Sequence, residues 1–213
     1  MGNPPPTKLI TPITERRRAD LLSETLDKAP EPNTIRVFGY GSLMWNPCFD
    51  YIDSSRAVLH NYRRGFSIWS VYARGTPENP GLGFALEKET GSICDGIVFT
   101  LPSNTTSEDL IPLWEREMWT DTYRPVWTSV EAKGECLAAL TFVVSKDHIQ
   151  YAGDLPVRVK AEYIVKAAGK YGTCSDYLAQ TVYTMRKLGI NDVQLEELLE
   201  IVKDLNKKGA SNN

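Results

Sequence analysis

The sequence predicts an α+β fold, a small and largely antiparallel β-barrel or curved sheet flanked by helices. Three observations lead there. Short runs rich in β-branched and aromatic residues recur between Ile35 and Leu101 and again from Tyr123 to Val144, with turn residues between them. One helical pattern, ending near Met118, interrupts these runs. Beyond Val157 the apolar spacing switches from two residues to about 3.6 and stays there.

Bulk properties set the limits. A chain of 213 residues with 42% hydrophobic and 24% charged side chains has room for one domain with a substantial core. Its formal charge of -3 leaves no basic footprint for nucleic acid, and no window approaches the run of about 18 apolar residues that a membrane span needs. Neither partner is expected. Cys48, Cys94, Cys136 and Cys174 are widely separated, with no C-x-x-C pair and no secretory signal before them, which predicts reduced thiols in a cytosolic protein. His60 and His148 are isolated, so no metal site is expected.

Residues 1–13, with Pro4-Pro5-Pro6 and Pro12, read as an extended arm outside the packed body. Thr14 then caps a short helix with Glu15 in its first turn and Leu22 and Leu26 as an apolar stripe, Leu21 beside it; Pro30 and Pro32 end it. Arg16-Arg17-Arg18 on that helix reads as a solvated face ahead of a phosphate or partner site. Residues 1–34 are thus arm and helix, 35–205 a single domain, and 206–213 a polar, flexible tail.

The first strong strand, Ile35 to Phe38, runs into Val37-Phe38-Gly39-Tyr40-Gly41-Ser42-Leu43-Met44-Trp45-Asn46-Pro47. Gly39 and Gly41 permit positive φ and close backbone approach, so the amides of Gly41, Ser42 and Leu43 can converge on an anionic or carbonyl oxygen. The competing reading is a tight turn in which Tyr40 and Trp45 only pack. Ala57 to Leu59, Gly65 to Val71, Gly83 to Leu86 and Ile93 to Leu101 follow as short strands, with a Pro- and Gly-rich loop from Arg74 to Gly81 among them. Arg74 in that loop can anchor a carboxylate or make a structural ion pair.

Thr105 and Glu108 have capping-box spacing and open a helix through about Met118, with Pro112 kinking it or restarting it. Glu115, Arg116 and Glu117 lie on this helix, beside apolar faces built from Leu110, Ile111, Leu113, Trp114 and Met118. Tyr123 to Val130 and Cys136 to Val144 form a hairpin about Lys133-Gly134. Three helices follow, Val157 to Ala168, Ser175 to Leu188 and Asp192 to Leu205, punctuated by Gly169, Gly172 and Gly189. In the second, Leu178, Thr181, Val182, Met185 and Leu188 make a buried stripe. Tyr177 lies near its start, placed for packing or for a site.

Without a metal cluster, cofactor fingerprint or nucleophile motif, the available reactive group is a carboxylate working as general base and acid. Glu117 is the first candidate. Glu115 competes, but two positions apart is about 200° around a helix, so both cannot easily face one pocket. Either glutamate, taken alone, also reads as a solvated helix charge. Ser42 lacks the G-x-S-x-G setting, Gly169-Lys170-Tyr171 lacks the rest of a phosphate loop, and Cys48 has no histidine near it in sequence.

Four motifs carry a resemblance. Phe38-Gly39-Tyr40-Gly41-Ser42-Leu43-Met44-Trp45, Arg74-Gly75-Thr76-Pro77, Gly91-Ser92-Ile93-Cys94-Asp95-Gly96 and Arg116-Glu117-Met118 occur in the order of the ChaC-type γ-glutamylcyclotransferases, which the chain resembles from about Ile35 into the final helices. The resemblance implies a small mixed β-barrel flanked by helices. It implies conversion of a γ-glutamyl peptide, chiefly glutathione, into 5-oxoproline and an amine such as Cys-Gly, with no cofactor. Tyr40, Gly41, Ser42 and Leu43 match the family's substrate-binding loop, Glu117 its catalytic glutamate and Tyr177 an active-site tyrosine; Arg74 joins the expected substrate-binding set. In that chemistry one carboxylate takes a proton from the substrate's α-amine and returns it to the departing amine. The partner expected is a small γ-glutamyl molecule, and the protein is expected to be a cytosolic monomer. Other γ-glutamyl amino acids or amines are an alternative substrate class, and a non-catalytic γ-glutamyl-binding module is an alternative function.

Overall fold

The computed structural model describes residues 2–31 and 33–210. It divides into two compact units. One is built from Thr11–Arg64 and Leu86–Ser145; the other takes the N-terminal segment up to Ile10, Gly65–Ala85 and the chain from Lys146 onward.

The first unit holds helix α1 (Glu15–Leu26), strand β1 (Arg36–Gly39), helix α2 (Ile111–Glu117) and strands β4 (Tyr123–Ala132) and β5 (Glu135–Val144), with most of the long strands β2 (Asp53–Ser70) and β3 (Gly81–Thr100). The strands close into a barrel in the order β1-β3-β2-β4-β5. β1 pairs antiparallel with β3, and β4 with both β2 and β5, while β1 meets β5 in parallel at Val37 and Leu140. That parallel closure makes the barrel mixed, as the family resemblance implies. It also leaves β1 and β5 without a free edge. Val37, Phe38, Leu59, Leu86, Leu140 and Phe142 are each almost fully buried, and the alternation along β1 sends Val37 and Phe38 to opposite faces of the sheet.

Local chemistry explains the elements. Lys133 and Gly134 both adopt positive φ, 53° and 81°, which a two-residue hairpin needs to match strand twist. The Thr14 hydroxyl accepts from the Arg17 amide and starts α1, as its sequence predicts. α1 stops at Leu26, before Pro30; Pro32, the other expected terminator, lies outside the described residues. Four expected short strands are two long ones. The polar breaks in the pattern fall at Asn61 and Gly91, with φ of 63° and 84°, and the Asn61 Oδ1 accepts from the Gly91 amide at 3.0 Å, so the chain twists through these sites without leaving the sheet. The expected mid-chain helix also shifts. Asp109 accepts from the Thr106 amide and hydroxyl, one residue later than the Thr105 and Glu108 pairing; a 3₁₀ turn spans Glu108–Leu110, and Pro112 sits in the first turn of α2 and kinks nothing.

The second unit carries α3 (Val157–Lys166), a small two-stranded sheet of β6 (Ala168–Gly169) and β7 (Gly172–Thr173), α4 (Cys174–Lys187) and α5 (Val193–Ala210). Its core includes Phe66, Trp69, Leu82, Ile164, Leu178 and Val182. α5 continues past the expected end at Leu205, with Lys207 and Lys208 favourably placed in its last turn; residues 211–213 of the expected tail lie outside the described residues. The N-terminal segment is a correction. It is extended, yet it packs: the Asn3 amide donates to Ala152 O, its side chain to Tyr151 O, and Trp69 Nε1 donates to Asn3 O, with Pro6 buried. These long-range bonds tie the segment down, and proline-counting does not reveal them.

Candidate active site

β1 delivers its loop at the barrel end. Tyr40 is buried, its hydroxyl donating to Phe142 O at 2.9 Å and its carbonyl accepting from Arg64 Nη1 at 3.2 Å. Leu43 and Met44 are buried too. The side chains of Tyr40 and Leu43 are therefore spent on anchoring the loop, and what it can present is backbone and Ser42. Ser42–Met44 form a 3₁₀ turn, whose first amides have no partner within the turn itself.

The expected positive φ is not there. Gly41 has φ -133°, and Gly39 is not among the residues with positive φ. Gly39 is required for space: a Cβ there would lie 2.9 Å from Leu43 Cβ, so a side chain would push the turn away from the strand.

Glu117 is the last residue of α2, and its side chain is only 14% exposed. Glu115 is exposed, as opposite helix faces require. Arg116 joins the pieces. Its Nε lies 3.3 Å from Glu117 Oε1, its Nη1 donates to Asn46 O at 2.7 Å and its Nη2 donates to Ser42 Oγ. Burial pushes the Glu117 carboxyl above the usual carboxylate range, and the Arg116 guanidinium offsets part of that rise. The Cys48 thiol stands in the same field: burial raises it, Arg116 lowers it and Glu117 raises it further. A raised thiol is a poor nucleophile at neutral pH.

In the other unit, Tyr177 stands on the first turn of α4, half-buried. The Arg74 guanidinium lies 4.9 Å from its ring centroid, and Phe66 and Phe84 meet the ring edge-on at 5.8 and 6.2 Å. Arg74 also donates from Nη1 to Tyr171 O. Among the described residues it makes no ion pair with a carboxylate of the chain; it stacks and clasps. The loop bearing Arg74 is stitched to the small sheet by Lys170 N to Tyr72 O at 2.9 Å and Tyr171 N to Ala73 O at 3.0 Å.

The barrel unit thus brings Tyr40, Gly41, Ser42, Leu43 and Glu117 together, and the other unit pairs Arg74 with Tyr177. The residue sequence reading passed over is Arg116. Its motif neighbour Glu117 drew attention, but its contacts with Ser42 and Asn46 span more than sixty residues and leave no local spacing to read.

A partly buried carboxylate, tied by a guanidinium to a backbone turn on a closed mixed barrel, is equipment for proton transfer. The model of the ChaC-like protein family matches residues 35–205, and the chain belongs to that family. A glutathione-specific gamma-glutamylcyclotransferase of Escherichia coli (strain K12) is 35% identical over 190 residues, covering 89% of this chain and 81% of that protein. A human glutathione-specific gamma-glutamylcyclotransferase 1 is 28% identical over 204 residues, covering 94% and 87%. The fold is that of a crystal structure of a yeast gamma-glutamyl cyclotransferase specific to glutathione, with TM-score 0.73 at 22% identity, covering 81% of this chain and 96% of that one.

Proposed function

We propose that this protein is a γ-glutamylcyclotransferase that cleaves glutathione to 5-oxoproline and Cys-Gly, with Glu117 as the general base and acid. The observation that carries the assignment of Glu117 is its mostly buried carboxylate, held by Arg116 against the turn that follows β1. In the reaction the substrate's α-amine attacks its own γ-carbonyl. The ring C–N bond forms, the γ-peptide C–N bond breaks, and one proton moves from the attacking amine through Glu117 to the departing amine. Atoms and charge balance without a cofactor.

A base must be ionised to begin and basic enough to act, so a pKa raised by burial suits Glu117 better than an ordinary value near ~4.3. Amides of Gly41, Ser42 and Leu43 are the donors assigned to the substrate or the developing oxyanion, each well-aimed one contributing on the order of 3 kcal/mol to the transition state. Tyr40 serves by fixing the loop. Arg74 and Tyr177 complete the assigned substrate-binding set, and their mutual stacking supports a role as a preformed pair. The relatives' names support glutathione as substrate. We take the protein to act as a monomer in the cytosol, where its four free cysteines stay reduced.

Incubation of purified protein with glutathione should yield 5-oxoproline and Cys-Gly in equal amounts, with a panel of γ-glutamyl amino acids and amines turned over more slowly. Glu117→Gln should lose roughly 10² to 10⁴ in rate while Glu115→Gln keeps activity. Unchanged glutathione recovered after binding would instead identify a binding module.

A further inference from the structure

We propose that α1, which precedes the region matched by the family model, braces the end of α2, and that its Arg18 is a positioning residue for Glu117. The proposal rests on the reading of Glu117 as the proton-transfer group. α2 is only seven residues long and Glu117 is its final residue, with Met118 as the cap. So short a helix has little stability of its own, and its last carbonyls lack partners within it.

Donors from the N-terminal side of the chain hold the two residues just beyond it. Arg18 Nε donates to Met118 O at 3.3 Å, its Nη2 donates to Ile13 O at 3.4 Å, and the Ile13 amide donates to Trp119 O at 3.0 Å. The two residues that follow Glu117 are thereby held from both ends of one short segment. That segment is itself anchored. Thr14 caps α1, Leu22 is buried, and Trp127 Nε1 on β4 donates to Thr25 O at 2.8 Å.

Of the arginine triplet, Arg16 and Arg17 are exposed and Arg17 pairs with Glu24, whereas Arg18 turns inward. A guanidinium at a helix C-terminus also opposes the negative end of the helix dipole. Among the described residues, the charged and titratable groups that face Glu117 are Arg116 on its own helix and Cys48 after the β1 turn. Arg18 is not one of them, so it acts by holding position.

The test uses Arg18→Met and Ile13→Pro in the full chain, the second removing the amide that bonds Trp119 O. Hydrogen exchange over residues 111–119, kcat, KM and the pH profile are measured for each, with Glu117→Gln alongside. We expect the Met118 amide to exchange at least about tenfold faster and kcat to fall about tenfold, with KM within about twofold, since misplacement of a reacting group acts on the chemical step. The acidic limb should move to lower pH as the carboxyl regains water, and Arg18→Lys should recover part of the loss. Unchanged exchange in both variants overturns the brace. So does faster exchange with kcat and the acidic limb as in the parent, which leaves a structural tie with no bearing on Glu117. Turnover by Glu117→Gln at the parent's rate removes the base reading, and the positioning role with it, whatever the exchange shows.

Discussion

Glu117 is subject to two opposed influences, and their balance fixes its behaviour. Burial favours the neutral acid; the Arg116 guanidinium 3.3 Å away favours the carboxylate; burial is the larger. The folded carboxyl therefore holds its proton to higher pH than the unfolded one. Between the two pKa values the native state binds more protons, so stability falls as pH rises through that window and is fully present only below the unfolded value of about 4.3. Glutamine imitates the neutral acid at every pH. Glu117→Gln should accordingly melt higher than the parent at pH 8 and no higher at pH 4, measured by thermal unfolding at both. A parent more stable than the variant at pH 8 would mean that the ion pair with Arg116 outweighs desolvation. The same substitution abolishes proton transfer, so activity and stability should move in opposite directions, the expected trade at a strained functional site.

At the scale of elements, the turn after β1 shows what sequence patterns convey and what they omit. Its glycines mark the turn, but for a different reason than conformational freedom: Gly39 is needed because Leu43 folds back over it, and neither Gly39 nor Gly41 uses positive φ. Gly39→Ala should cost about 1–3 kcal/mol through overpacking and should lower kcat/KM more than it lowers stability, because the displaced turn carries Ser42 and its bond to Arg116. Denaturant titration and kinetics on one sample separate the two. Wild-type kinetics in a well-folded Gly39→Ala would show that the turn has no part in the reaction. Tyr40 was placed but its use was not legible, since its bond to Phe142 O joins positions about a hundred residues apart. The strands posed a different difficulty. Polar residues near Asn61 and Gly91 look like turns in a local pattern, yet in β2 and β3 the ladder runs through them. Alternation reports which face is buried, and an exposed stretch of a long strand has nothing buried to report.

For the whole molecule, the mixed closure of the barrel at Val37 and Leu140 depends on a parallel contact between distant segments, which no local period encodes. The division into two units is equally silent in the sequence, because two of its four boundaries fall inside β2 and β3, where no Pro- or Gly-rich linker marks them. This continuity has a consequence for unfolding. β2 contributes Leu59 to the barrel core and Phe66 and Trp69 to the helical one, and β3 contributes Val98 and Phe99 to the barrel core and Leu82 and Phe84 to the helical one. Two uninterrupted strands thus serve both, so loss of one core removes order from segments the other needs. Cooperative unfolding in a single transition is expected. Leu178, fully buried on α4, lies in the helical unit, while Trp45, Trp114, Trp119 and Trp127 lie in the barrel unit. Leu178→Ala should cost about 2–5 kcal/mol and lower the melting temperature by roughly 5–15 °C. The fluorescence midpoint, dominated by the four barrel tryptophans, should fall by the same amount as the far-UV circular dichroism midpoint. A fluorescence transition that stays in place while the helical signal melts early would show that the two units unfold separately.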